Sequence, residues 1–262
     1  MALIQIVENK KKSLGIYVHI PFCRSKCEYC DFYSIPGARS RDLMDRYLDA
    51  VILHIREAAQ GAAGYEVDTV YFGGGTPSYL GAERLCRILE TVFAHYRVDK
   101  NAEITTEANP DSAREVSALR QLREAGFNRI SLGMQSASDD ELRLIGRVHT
   151  HKETVEAVHA ARAAGFDNVS LDLIYGLPEQ TMAHWRENLQ AAIALEPEHL
   201  SCYGLKIEEG TPLDRKKDAL HIPDDDEQAE EYLATVELLE KVGYAQYEIS
   251  NFARPARESR HN

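Results

Sequence analysis

Residues 15–32 read Gly15-Ile16-Tyr17-Val18-His19-Ile20-Pro21-Phe22-Cys23-Arg24-Ser25-Lys26-Cys27-Glu28-Tyr29-Cys30-Asp31-Phe32. An apolar, β-branched run delivers three cysteines within eight residues, Cys23, Cys27 and Cys30. Thiolates this closely spaced point to a metal site. Three of them can hold three corners of an iron–sulfur cube and leave one iron open. An open coordination position is where a metal site binds and activates a small molecule. Zinc is the competing reading, because His19 precedes Cys23 by four residues and could complete a Cys3His set. Zinc knuckles, however, generally come as two separated pairs, and the chain has no second pair.

Outward from this stretch, short β-branched runs alternate with helical ones. Strands are expected at Ile16–Ile20, Val67–Phe72, Glu103–Glu107, Arg129–Leu132, Val169–Leu173 and Leu200–Tyr203. Helices are expected near Ser40–Ala59, Ala82–Tyr96, Ser112–Ala125, Asp139–Ile145, Lys152–Ala164 and Met182–Leu195. Gly126 and Gly165 stand where helix C-caps belong, and Asp111 stands where an N-cap belongs. Six strand–helix units predict an α/β fold with a parallel sheet and right-handed crossovers. An open doubly wound sheet and a barrel both satisfy that rule, and six units suit a partial barrel. After Tyr203 the rhythm changes to a loop at Lys206–His221, a helix from Asp224 to about Val242 and a strand at Tyr244–Ser250. Asp224-Asp225-Asp226-Glu227 reads as a helix N-cap complementing the dipole rather than as a metal site. The resulting organisation is an N-terminal tail at 1–13, a core at 14–205 and an extension at 206–262.

The totals narrow the function. The chain has 262 residues and a formal net charge of −12, without a long basic stretch. Nothing in it would neutralise a phosphate backbone, so a nucleic-acid partner is not expected. Lys10-Lys11-Lys12 reads as a solvated tail. No apolar run approaches the roughly 18 residues of a transmembrane helix. Met1–Val7 is too short for a signal peptide. Five cysteines, three of them clustered, argue against a disulfide framework and for a cytoplasmic setting. The isolated Cys86 and Cys202 read as small buried hydrophobes.

Further candidates stand at strand ends. Gly73-Gly74-Gly75-Thr76-Pro77 leaves the backbone bare for close approach of a ligand, although it lacks the Lys-Ser/Thr of a P-loop. Glu107 closes an alternating strand. Asp172 sits within the otherwise apolar Leu171-Asp172-Leu173-Ile174, where a carboxylate needs a partner.

Cys23-x3-Cys27-x2-Cys30, with Tyr29 before the last cysteine, resembles the signature of the radical S-adenosylmethionine (SAM) superfamily. The resemblance implies a partial (β/α)6 barrel with a [4Fe–4S] cluster at the C-terminal mouth of the strands. It also implies SAM on the open iron and one-electron cleavage of SAM to a 5′-deoxyadenosyl radical, with an electron donor for the cluster. By the same resemblance Gly74, Gly75 and Thr76 form the second SAM motif. Tyr17, Tyr29, Glu107, Gln135, Arg147 and Asp172 match positions that contact SAM or a second ligand.

Longer stretches narrow the likeness to the oxygen-independent coproporphyrinogen III oxidase group. They are Tyr17–Cys23, Phe72–Ser78, Glu107–Asp111, Arg129–Ser136, Leu173–Pro178 and Tyr247–Ala253. In that group the oxidases carry a further cysteine two residues after the cluster motif. Phe32 stands there in this chain, in the Cys-Asp-Phe pattern of the HemW-type heme chaperones. That branch implies heme binding and delivery of heme to acceptors such as respiratory enzymes, with homodimers known among its members. Turnover of coproporphyrinogen is then not expected; an oxidase or another tetrapyrrole-modifying radical enzyme is the alternative. His261-Asn262 match the start of the branch's His-Asn-x-x-Tyr-Trp heme motif, making His261 a heme-ligand candidate. The resemblance also implies a C-terminal domain, on the order of 100 residues, beyond Asn262.

Overall fold

The computed structural model describes residues 12–37 and 40–262. The expectations for Met1–Val7 and for Lys10 and Lys11 lie outside the described residues. The first strand, β1 (Lys12–Ile20), runs into the cysteine loop, which carries a two-residue pairing of β2 (Phe22–Cys23) with β3 (Ile35–Pro36). Five strand-and-helix repeats follow. They comprise α1 (Arg41–Ala58), β4 (Tyr65–Gly74), α2 (Pro77–Leu80), α3 (Ala82–His95), β5 (Val98–Ala108), α4 (Val116–Ala125) and β6 (Arg129–Gln135). After these come α5 (Asp139–Leu144), α6 (His151–Ala163), β7 (Val169–Tyr175), α7 (Met182–Ile193) and β8 (His199–Gly204). The chain then forms α8 (Asp225–Lys241) and the hairpin β9 (Ala245–Glu248) and β10 (Asn251–Ala253).

The sheet order is β1-β4-β5-β6-β7-β8-β10-β9, and all pairings from β1 to β8 are parallel. Strictly sequential order separates the two closures left open by the sequence. A doubly wound sheet reverses direction at a switch point, whereas a barrel does not. The parallel sheet curls as a partial barrel with β1 at one edge.

Strand parity explains the two faces. Successive side chains point to opposite sides of a strand. On β6, Ile130, Leu132 and Met134 join the main hydrophobic core under the helices, while Ser131, Gly133 and Gln135 face the cavity. On β7, Val169, Leu171 and Leu173 pack outward, while Asp172 and Ile174 face inward. The core thus lies between sheet and helices, and the concave face is left polar.

Local signals place the ends. Gly126, at φ 117°, and Gly165, at φ 96°, take the left-handed conformation that ends α4 and α6, as the sequence implies. Asp224 accepts from the Glu227 amide in a reciprocal capping box, so the acidic run caps α8. One expectation needs correction and another a narrower span. Asp111 does not cap a helix, because Pro110–Ser112 forms a separate 3-10 turn and α4 starts at Val116 behind Glu115. The strand expected at Tyr244–Ser250 is β9, shortened to Ala245–Glu248 by a turn at Ile249-Ser250, after which the chain returns as β10, antiparallel to β8. Among the described residues no helix is long and apolar enough to cross a membrane.

Removing the α8 cap gives a direct check. Asp224→Ala should cost about 1 kcal/mol, lowering the Tm by roughly 2–4 °C for a domain of this size. Added divalent cations should leave the Tm of the unsubstituted chain unchanged.

Candidate functional site

The C-terminal ends of the strands converge on one cavity of about 450 Å³. Its wall includes Cys23, Cys27, Tyr29 and Cys30 from the loop after β1, and Gly74, Gly75 and Thr76 after β4. Glu107, Gln135 and Asp172 enter from β5, β6 and β7, and Arg147 from the loop after α5. Eleven residues singled out in the sequence therefore share one wall.

The cysteine loop is held by backbone. Gly75 donates its amide to Ile20 O at 2.7 Å, and Thr76 donates to Phe22 O at 2.8 Å. Gly37 donates to Cys23 O at 2.9 Å, and Glu28 donates to Ile145 O at 2.9 Å. The approach at Gly75 is close enough to require glycine. A Cβ there would stand 2.9 Å from Ile20 O and Phe22 O and 3.0 Å from Cys23 Sγ.

All three cysteines are free thiols facing the cavity. The Thr76 hydroxyl donates to Cys23 Sγ at 3.5 Å, and Arg147 Nη1 donates to Cys27 Sγ at 3.6 Å. Arg147 also donates to Asn109 Oδ1 at 2.7 Å and to Gly133 O at 2.9 Å. Asn109 in turn donates to Thr76 Oγ1 at 3.0 Å, linking the cysteine wall to the glycine loop.

Zinc would draw its donors to about 2.0–2.3 Å from one ion. His19, the sequence's candidate fourth ligand, bonds to the Tyr17 hydroxyl through Nδ1 at 3.1 Å and to Tyr33 O through Nε2 at 3.0 Å. A four-iron cube binds each thiolate at a different corner. Three free thiols lining one cavity fit a group bound in that way.

Two carboxylates face the same space, enclosed by protein except toward the cavity. Glu107 accepts from the Tyr71 hydroxyl at 2.8 Å and from the Gly74 amide at 3.2 Å. Burial pushes its carboxyl up to about 7; the Tyr71 and Gly74 bonds oppose the rise, and the Asp172 charge adds to it. Asp172 accepts from the Ser131 hydroxyl at 3.0 Å, the partner its apolar strand demands, and burial raises its carboxyl too. Gln135 takes a left-handed φ of 63° at the end of β6.

Two candidates lie apart from the cavity wall. Tyr17 is half exposed on β1, and its ring stacks near Tyr71 at 6.2 Å. His261 stacks on Tyr71 at 5.1 Å, and its Nδ1 lies 2.8 Å from Thr69 Oγ1. Burial lowers the pKa of the His261 ring. Tyr71, Asn109 and Ser131 belong to the site without standing out in the sequence. Strand parity would have found Tyr71 and Ser131, one pleat repeat from Gly73 and Gly133.

A family model described as the radical SAM superfamily matches residues 17–192. The chain is 41% identical over 251 residues to the heme chaperone HemW of Mycobacterium tuberculosis strain H37Rv, covering 95% of this chain and 64% of that protein. It is 38% identical over 253 residues to the heme chaperone HemW of Escherichia coli K12, covering 97% and 66%. The chain spans about 64% of the length of the first of these curated relatives. Among solved structures, the radical SAM enzyme coproporphyrinogen III oxidase (HemN) from Escherichia coli superposes with a TM-score of 0.86 at 32% identity. That match covers 95% of this chain and 57% of that one. The archaeal Elp3 of Methanocaldococcus infernus, at 19% identity and a TM-score of 0.60, shares the fold, covering 86% of this chain and 53% of that one.

The raised Glu107 carboxyl sets a pH dependence. Its folded pKa of about 7 lies above its ordinary 4.5, so the folded state holds the extra proton between those values. Stability from this group is therefore full below about 4.5 and is lost as pH rises through about 7. Glu107→Gln should gain stability relative to the parent chain between pH 5 and pH 8, by at most about 3 kcal/mol. Denaturant titrations at the two pH values check this; an unchanged difference would contradict it.

Proposed function

We propose a function from one premise: the chain belongs to the radical SAM superfamily. In this reading Cys23, Cys27 and Cys30 hold a [4Fe–4S] cluster, and SAM occupies the adjoining cavity. The observation that carries the reading is the convergence of three free thiols, a bare glycine loop and two carboxylates on one cavity. Such a bound pair supplies one-electron radical chemistry, which the protein positions and shields.

The chain's own groups have distinct tasks. Thr76 and Arg147 donate hydrogen bonds to Cys23 and Cys27, stabilising negative charge on the sulfurs. Gly74 and Gly75 let main-chain atoms approach the ligand, with Tyr29, Gln135 and Arg147 beside them. Glu107 and Asp172 offer carboxylates to the positive ammonium and sulfonium of SAM. A cation bound there favours the ionised carboxylates and so lowers their raised pKa values. Tyr17 does not line the cavity; its ring stacks on Tyr71, which holds Glu107.

The cellular role we infer is that of a cytoplasmic heme chaperone, passing heme to acceptor proteins. The curated relatives named as heme chaperones support it. Phe32 supports it over an oxidase, because no thiol stands at that point of the cavity wall. His261 is the heme-ligand candidate, its ring stacked on Tyr71, and the core at 14–205 carries the cluster and SAM.

Iron, sulfide and heme measurements test these parts separately. The anaerobically reconstituted chain should carry about four irons and four sulfides, and Cys27→Ser should lose them. An intact cluster in Cys27→Ser would sink the assignment. Anaerobic titration with heme should give saturable visible absorption that His261→Ala weakens. Absence of saturable binding would remove the chaperone reading from this chain, and coproporphyrinogen turnover with SAM consumption would favour the oxidase.

A further inference from the structure

The stretch from Arg147 to His149 lies along the end of β6 and grips two successive carbonyls. Arg147 takes Gly133 O at 2.9 Å, and His149 Nε2 lies 3.2 Å from Met134 O. A carbonyl only accepts, so Nε2 carries the proton and Nδ1 is bare. Nδ1 is buried without a hydrogen-bond partner, in a residue only 3% exposed. A buried orphan acceptor costs free energy and calls for a reason.

The reason lies in the carbonyl that His149 holds. The β6–β7 register shifts between Gly133 and Gln135, which takes Met134 out of the regular ladder. Ser136 turns its amide back onto the same Met134 O at 2.8 Å. Between them, Gln135 is forced to φ 63° and its side chain enters the cavity. A left-handed non-glycine residue is strained and persists only when its surroundings over-determine it. The space is also filled: a Cβ on Gly133 would stand 2.8 Å from Gln135 Nε2 and 3.1 Å from Arg147 Nη2.

We propose that His149 is a positioning residue for the SAM cavity: its Nε2–H bond to Met134 O fixes the turn that aims Gln135 inward. Through the shared stretch of residues 147–149 it also seats the Arg147 guanidinium beside Cys27. This deepens the SAM-site reading and rests on it. A histidine that merely filled space would be replaceable by an apolar ring. A histidine acting through its N–H is replaceable by another N–H donor.

The test uses the whole chain with His149→Phe and His149→Gln, and His149→Leu as a second apolar variant should the Phe variant not fold. Hydrogen–deuterium exchange of residues 134–137 and 145–148 is read without cofactors. Equilibrium dialysis of SAM is read after anaerobic cluster reconstitution. A tenfold change corresponds to about 1.4 kcal/mol, within the range for loss of one hydrogen bond. The apolar variant should therefore exchange roughly tenfold faster at both segments and bind SAM roughly tenfold more weakly. The Gln variant should return both to within about threefold of the parent chain. Parent-like exchange in the apolar variant, or a Gln variant no better than the apolar one, would overturn the proposal. A parent chain that binds no SAM would instead overturn the SAM-site reading, while the exchange data would still decide whether His149 holds the turn.

Discussion

Two backbone hydrogen bonds hold the site together. The amides of Gly75 and Thr76 donate to the carbonyls of Ile20 and Phe22, so the glycine loop grips the chain as it enters the cysteine loop. The grip requires contact that no side chain at position 75 would permit. It depends in turn on the parallel register of β1 with β4, which sets His19 opposite Gly73 and Ile20 opposite Gly74. A loop carrying three thiols is thereby fixed to the most regular part of the fold.

The rest of the wall follows from strand parity. The strands turn most of their apolar side chains to the helix layer and present mainly polar ones to the concave face, Ile174 being an exception. Buried polar groups are tolerated there because they are paired: Ser131 with Asp172, Tyr71 with Glu107, Asn109 with Arg147. The two carboxylates are nonetheless held above their ordinary pKa values by burial. A cavity that raises the proton affinity of its acids is suited to a positively charged ligand.

The legible part of this architecture was local or repetitive. Three cysteines in eight residues, glycines at strand ends and β-branched runs at even spacing are visible without a structure. They led to the six parallel strands, the three cysteines and the glycine loop, whereas Tyr29, Gln135 and Arg147 of the same wall came only through the family resemblance. What was not legible depends on contacts far apart in sequence. The pairing of β10 with β8 follows a turn at Ile249-Ser250 that carries no glycine, and Pro110 diverts the chain before α4 can begin. Asn109 drew no attention because its importance lies in joining Thr76 to Arg147, across 33 and 38 residues. His149 is similar: nothing local distinguishes a core histidine from one that fixes a carbonyl.

The central claim is that the three thiols and the open wall beside them form one site for a cluster and SAM. Electron paramagnetic resonance of the anaerobically reconstituted, reduced chain, recorded with and without SAM, tests it most directly. A reduced [4Fe–4S] signal whose shape changes when SAM is added is expected, because SAM would bind the one iron without a cysteine. A signal indifferent to saturating SAM would contradict a shared site, and so would a chain that assembles no such cluster.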